Sequence, residues 1–228
     1  TWTVLAVCSK LLYTPSFISP GIHPVRGRYG AMCSLISAGS ALKWLSGLVG
    51  EDYASLDAGA EKCRESAAEL FFYPYLAGAG FPHNRPDYRG TLSGLSLSHG
   101  RYDIARALME CVAFETKTVL DELEKNGVEV KKLKMVGGAT KSALWTELVR
   151  SVTGCEIELP LEPDSCCLGA AMIALVGLGV FPDYEKAAQA MVKYGDTETK
   201  RPESAAFYRE KYEKYRLYRG DINRRFDV

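Results

Sequence analysis

The sequence lacks any excess of charge of one sign: its 28 Lys and Arg equal its 28 Asp and Glu, and no long run of either sign occurs. That balance removes the electrostatic basis for holding nucleic acid or an anionic membrane, so any anionic ligand must be held locally. Long apolar runs are missing as well. The longest, Leu168 to Phe181, is too short and too rich in Gly and Ala to span a bilayer, and no signal segment of basic, apolar and small residues opens the chain. The seven cysteines are odd in number, lie mostly in apolar segments and never pair with His at zinc spacing, which points to a reduced, cytoplasmic protein. A Walker P-loop, a Gly-x-Gly-x-x-Gly after a strand and a Gly-x-Ser-x-Gly elbow are all absent; in Gly90-Thr91-Leu92-Ser93-Gly94 the serine stands one place late. Hydrolase and dinucleotide-binding readings thereby lose their best support. His23, His83 and His99 fall in loops or at a strand end without metal spacing, and Asp87, Asp103 and Asp164 read as cap or turn residues, so none is assigned a role as ligand or base.

What is present is enough apolar residue, 47%, to bury a sizeable core. The chain opens on Thr1 rather than Met and enters a β-like run directly, Trp2 to Cys8, which reads as part of a longer protein. After a Pro-rich loop (Pro15, Pro20, Pro24) a second such run, Tyr29 to Ile36, completes a predicted hairpin with a long connection. Helical patterns over Ala41 to Leu48 and Tyr53 to Leu70 precede an apolar strand from Leu70 to Leu76. Ile104, Leu108, Val112, Val119 and Leu123 recur at helical spacing and predict a long amphipathic helix over Tyr102 to Lys125, ended by Gly127. The remainder alternates: strand Leu133 to Val136, helix Ala143 to Val152, strand Glu156 to Leu159, then helices Leu168 to Leu178 and Tyr184 to Lys193. Such alternation argues for an α/β fold. A last segment, 203–225, reads as a surface helix whose stripe of Tyr208, Tyr212, Tyr215 and Tyr218 packs against a single domain covering 1–228.

Two strand-to-helix junctions carry the chemistry. In Met135 to Trp145 an apolar strand runs into Gly137 and Gly138 and then a helix with Thr140 or Ser142 as N-cap; in Ser37 to Trp44 a strand ends at Gly39 before another helix. Glycine lets a ligand approach the backbone, and the open N–H groups at a helix start favour phosphate. Taken alone, such a junction is more often only a tight turn. Two in one domain favour a nucleotide between them. A third stretch, Asp164 to Ala171, offers Asp164 or Ser165 as cap of a helix of small residues that packs closely.

The order of these pieces resembles the C-terminal domain of the FGGY carbohydrate kinases. The resemblance spans almost the whole chain: the strand opening at Thr1-Trp2-Thr3-Val4, the Gly39 junction, the loop from Pro74-Tyr75-Leu76 through Pro82-His83-Asn84 to Gly94, the helix at Ile104 to Glu110, Gly137-Gly138-Ala139 with Ser142 and Trp145, Leu168-Gly169-Ala170-Ala171, and Gly179 to Asp183. It implies a ribonuclease H-like, actin-type ATPase domain with a mixed sheet flanked by helices. It also implies transfer of the γ-phosphoryl group of ATP, with Mg2+, to a hydroxyl of a ketose or polyol. By that resemblance Thr1 meets the terminal phosphates, Gly39 lies along the phosphate chain with Lys43 nearby, and Gly137, Gly138 and Ser142 line the ribose and adenine. The catalytic base and most of the sugar pocket belong to the N-terminal domain of the same polypeptide, so this chain alone is expected to bind nucleotide weakly and to transfer nothing. Homodimerisation stays open. Gly78-Ala79-Gly80 stands where many members have Gly-Glu-Arg, and Cys111 where Gly is frequent. The opening Thr-Trp leans towards kinases of deoxy-ketoses, and the Pro-His-Asn loop towards xylulose kinases. A non-kinase actin-like ATPase and a nucleotide-binding or assembly module with purely structural glycine turns are the alternatives.

Overall fold

A computed structural model of the chain describes residues 2–14, 18–162, 164–195 and 202–225. Strand β1, Trp2–Cys8, alternates inward Val4 and Ala6 with outward Thr3, Leu5 and Val7, the period-two pattern of a half-buried strand. It pairs antiparallel with β3, Tyr29–Leu35, from Trp2 opposite Leu35 to Cys8 opposite Tyr29, which is the hairpin read from the sequence. Its long connection contributes one more strand, β2 at Ser19–Ile22, on the far side of β3. Pro20 and Gly21 hide that strand from a propensity reading, and as an edge strand it tolerates a residue without an N–H. The inner face packs Val4, Ala6, Ala31 and Cys33 against Val119, Leu120 and Leu123. Burial, with a smaller contribution from Glu122, pushes the Cys33 thiol up to about 12, and all seven cysteines are free thiols.

Helix α1 spans Gly39–Val49 and α2 spans Tyr53–Glu61. The apolar pattern predicts α2 as far as Leu70; the helix stops at Glu61 because tertiary bonds claim the following turns. Ser66 Oγ donates to Asp103, and His99 Nε2 donates to the Ser66 carbonyl at 3.0 Å. Strand β4 is shorter than expected, Phe71–Tyr73, and ends where Pro74 withdraws a donor. It pairs antiparallel with β5, Thr91–Ser93, a strand that the Gly- and Pro-rich composition of its surroundings conceals. Gly94 then turns the chain with φ +83°, and a Cβ there would stand 2.0 Å from the Glu69 carbonyl oxygen. Gly94→Ala is therefore expected to lower stability by roughly 2–3 kcal/mol, from backbone strain and a clash with main chain. Thermal unfolding of the variant checks this: a melting temperature within a degree of the parent's contradicts it.

The centre of the fold is α3, Arg101–Lys125, as its periodicity predicts. After it, β6 (Lys132–Lys134) and β7 (Glu156–Glu158) pair parallel, joined through a 3-10 turn at Gly138–Lys141 and helix α4, Ala143–Thr153. The described strands thus form one three-stranded antiparallel sheet, one antiparallel pair and one parallel pair, mixed in sense and flanked by helices. Helices α5 (Ser165–Gly177), α6 (Tyr184–Met191) and α7 (Pro202–Arg224) complete the chain. The tyrosine stripe of α7 is its packed face: Tyr208, Tyr212 and Tyr215 are buried, and Tyr215 stacks on Tyr73 at 4.8 Å. Tyr218 remains partly exposed and meets Phe71 edge-on. Beneath α7, buried Glu110 accepts from Arg106 Nε at 2.6 Å and from Lys211 Nζ at 2.5 Å, and Lys211 also donates to the Ala67 carbonyl. No helix among the described residues is long and apolar enough to cross a membrane.

Candidate functional site

After β6 the chain leaves its strand at Gly137, whose φ of +88° an L side chain rarely adopts. Thr140 Oγ donates to the Gly137 carbonyl at 2.7 Å and closes the 3-10 turn. Ser142, the other candidate cap, is the N-cap of α4: its Oγ accepts the Trp145 N–H at 2.9 Å. The first turn of α1 starts at Gly39 behind Ala38, which provides no side-chain cap, so its leading N–H groups carry the positive end of the helix dipole uncompensated.

These two junctions open onto one cleft of about 800 Å3. Gly137, Gly138 and Ser142 form one wall, and Gly39 and Leu42 form the end at α1. Opposite stands α2, which presents Tyr53, Ala54, Asp57, Ala58 and Glu61, residues spaced as one helical face. Trp2, Met109 and Trp145 make the apolar floor, with the two indoles stacked at 5.8 Å. Where these two walls meet, Ser142 Oγ donates to Asp57 Oδ1 and ties α4 to α2. Trp145 is 3% exposed, and its Nε1 has no hydrogen-bond partner among the described residues.

Gly39, Gly137, Gly138 and Ser142 are thus brought together from distant parts of the chain. Lys43 is exposed and does not line the cleft: it shares the Gly39 side of α1 but stands one turn, about 5 Å, further along the axis. Thr1 lies outside the described residues. The Asp164 to Ala171 stretch is elsewhere: Asp164 Oδ1 accepts the Cys167 N–H at 3.0 Å and caps α5. Sequence reasoning missed Tyr53, Asp57 and Glu61, whose i, i+4, i+8 spacing was the available signal, and Trp145 as floor rather than simple core.

Gly39 and Gly138 differ from Gly137 in a way that bears on ligands. Neither has a positive φ, and nothing lies within 4 Å of where a Cβ would stand. The fold therefore needs no glycine at either place, and the bare backbone leaves room for a ligand to touch it. A second cleft, of about 640 Å3, lies between α3, α4 and α7, but it pairs its own charges, Lys117 with Asp121 and Arg216 with Glu213. Among the described residues no group of three His, Cys, Asp or Glu side chains could hold a metal ion.

Comparison with known proteins gives the chain's family and fold. Residues 1–178 match the family model described as the C-terminal domain of the FGGY family of carbohydrate kinases. A xylulose kinase from Escherichia coli is 31% identical over 174 residues, 75% of this chain and 36% of its own length. A glycerol kinase from Gloeobacter violaceus is 34% identical over 165 residues, 71% of this chain and 33% of its own length. The crystal structure of a xylulose kinase from Rhodospirillum rubrum superposes with a TM-score of 0.84 at 26% identity, covering 99% of this chain and 46% of that one. The chain spans less than half the length of the relatives it matches.

Proposed function

The chain belongs to the FGGY family of carbohydrate kinases, matching its C-terminal domain, and from that premise we propose that residues 1–228 form the ATP-binding half of a cytoplasmic sugar kinase acting on a ketose or polyol. The observation that carries this reading is the pair Gly39 and Gly138, which face one cleft without being required by backbone conformation or packing. A phosphate chain lies against the uncapped start of α1 at Gly39, and the nucleoside runs past Gly137 and Gly138. The γ-phosphoryl group leaves the β-phosphate oxygen as a bond forms from the sugar hydroxyl oxygen, whose proton passes to a base contributed by the other half of the polypeptide. Mg2+ would accompany the phosphates of ATP here, since it keeps several waters and needs few protein ligands. The relatives' names favour xylulose or glycerol as the acceptor to try first.

A coupled assay of ATP consumption by the full-length polypeptide, across ketoses, deoxy-ketoses and polyols, tests this, with the 228-residue chain as control. Turnover that depends on one sugar, and none from the chain alone, is the expected outcome. Turnover indifferent to every sugar moves the protein to the actin-like ATPases.

A further inference from the structure

Ser142 is the polar side chain that the family resemblance assigns to the nucleoside, yet its hydroxyl is already committed. It has one proton, which it gives to Asp57 Oδ1, and it accepts the Trp145 N–H. The cleft's free hydrogen-bonding capacity at this point is therefore the carboxylate: Asp57 Oδ2 bonds no described residue, and Asp57 is half-buried on the cleft face of α2.

Which part of a nucleotide meets it follows from charge and polarity. The α2 face carries two carboxylates, Asp57 and Glu61, and no cation, so it repels phosphates; the cleft's lining cation is Lys141, on the turn before Ser142, and the uncapped start of α1 offers backbone N–H groups to a phosphate chain. The same face carries Tyr53, Ala54 and Ala58, and the floor carries stacked Trp2 and Trp145, an apolar lining suited to a flat ring. A base placed there has its edge at Asp57, and a carboxylate accepts from a ring amine while rejecting a ring carbonyl.

We infer that Asp57, braced by Ser142, is the residue that selects the nucleobase, by accepting a hydrogen bond from the exocyclic amine of adenine. The inference rests on the nucleotide-cleft reading above and deepens it.

ADP and IDP differ at this edge, the second having a carbonyl in place of the amine. Calorimetric titration of the full-length polypeptide is expected to show ADP binding roughly 10- to 100-fold tighter than IDP, the range for a hydrogen bond to a charged group. Asp57→Asn keeps an oxygen for Ser142 and turns an amide N–H₂ into the cleft, so the preference is expected to invert towards IDP. Asp57→Ala is expected to bring the two affinities within about twofold, mainly by weakening ADP. A side chain that merely braced Ser142 would weaken both nucleotides equally in both variants and leave their ratio unchanged, which overturns the inference; so does a parent protein that binds both alike. Failure of the parent to bind either nucleotide overturns the cleft assignment itself, and this inference with it.

Discussion

Gly138→Val is expected to weaken nucleotide binding by about a hundredfold or more, roughly 3 kcal/mol, while leaving the fold's stability within roughly 1 kcal/mol of the parent's. The separation of the two effects is the informative part. Gly138 has an ordinary backbone conformation and open space at its Cβ, so the protein loses nothing in its own packing when a side chain is added. That open space is the cleft, and three added carbon atoms fill the volume into which a ligand backed by the Gly137–Gly138 turn must settle. Gly138→Ala gives an intermediate loss. Gly137→Ala behaves in the opposite manner: its φ of +88° makes any side chain strained, so it loses about 1–2 kcal/mol of stability whether or not nucleotide is present. Titration with ADP and thermal melts of the three variants, made in the full-length polypeptide, read both quantities. A Gly138→Val protein that melts early yet binds ADP normally makes this turn purely structural and removes the main support for the nucleotide cleft.

The second large effect is expected at Glu110. This carboxylate is fully buried and serves two buried cations at once, Arg106 from its own helix and Lys211 from α7. Glu110→Ala leaves both cations without their counterion in the core and is expected to cost about 3–5 kcal/mol. That is a large part of the stability of a typical domain, roughly 5–15 kcal/mol. Lys211→Met is expected to cost less, since the Arg106–Glu110 pair stays intact and the methionine fills most of the space of the lysine stem. Arg106 also keeps its bonds to the Ala60 carbonyl, at 3.2 Å, and to the Tyr208 hydroxyl. Urea unfolding of the two variants ranks them: equal midpoints, or Lys211→Met the worse, contradict the view that one carboxylate neutralises two charges. The network explains why α7 is held by more than its tyrosines, and neither Glu110 nor Lys211 stands out in the sequence from other charged residues on amphipathic helices.

Several elements were readable before the structure because each is encoded by a local period. The apolar spacing of Ile104, Leu108, Val112, Val119 and Leu123 marks α3 to within a residue at its start, and the run of β-branched and apolar residues from Trp2 to Cys8 marks β1. The Gly137–Gly138 and Gly39 junctions were visible because glycine between a strand and a helix is a backbone signal carried by a few adjacent residues. Strands β2 and β5 were not visible, since their Pro, Gly and Ser content is that of a loop and only pairing with β3 and β4 makes them strands. The end of α2 was misread for the same reason: Ser66 hydrogen bonds to Asp103 and His99, far along the chain, and those bonds outweigh local helix propensity.

Residue types and their spacing set the order of the strongly patterned helices and strands, though not β2 and β5, the balance of charge that excludes a general anion-binding surface, and the glycine junctions that mark where a ligand can approach the backbone. Each of these depends on residue type and on neighbours within a few positions. Only tertiary packing decided that Gly39, Gly138 and Ser142 line one cleft which Lys43 does not reach, that α2 closes the cleft with Asp57 bound to Ser142, and that Glu110 lies between two cations. These outcomes depend on the packing angle and depth of elements far apart in the chain, and a period of 3.6 or 2 records which face of an element is buried without recording what lies opposite it.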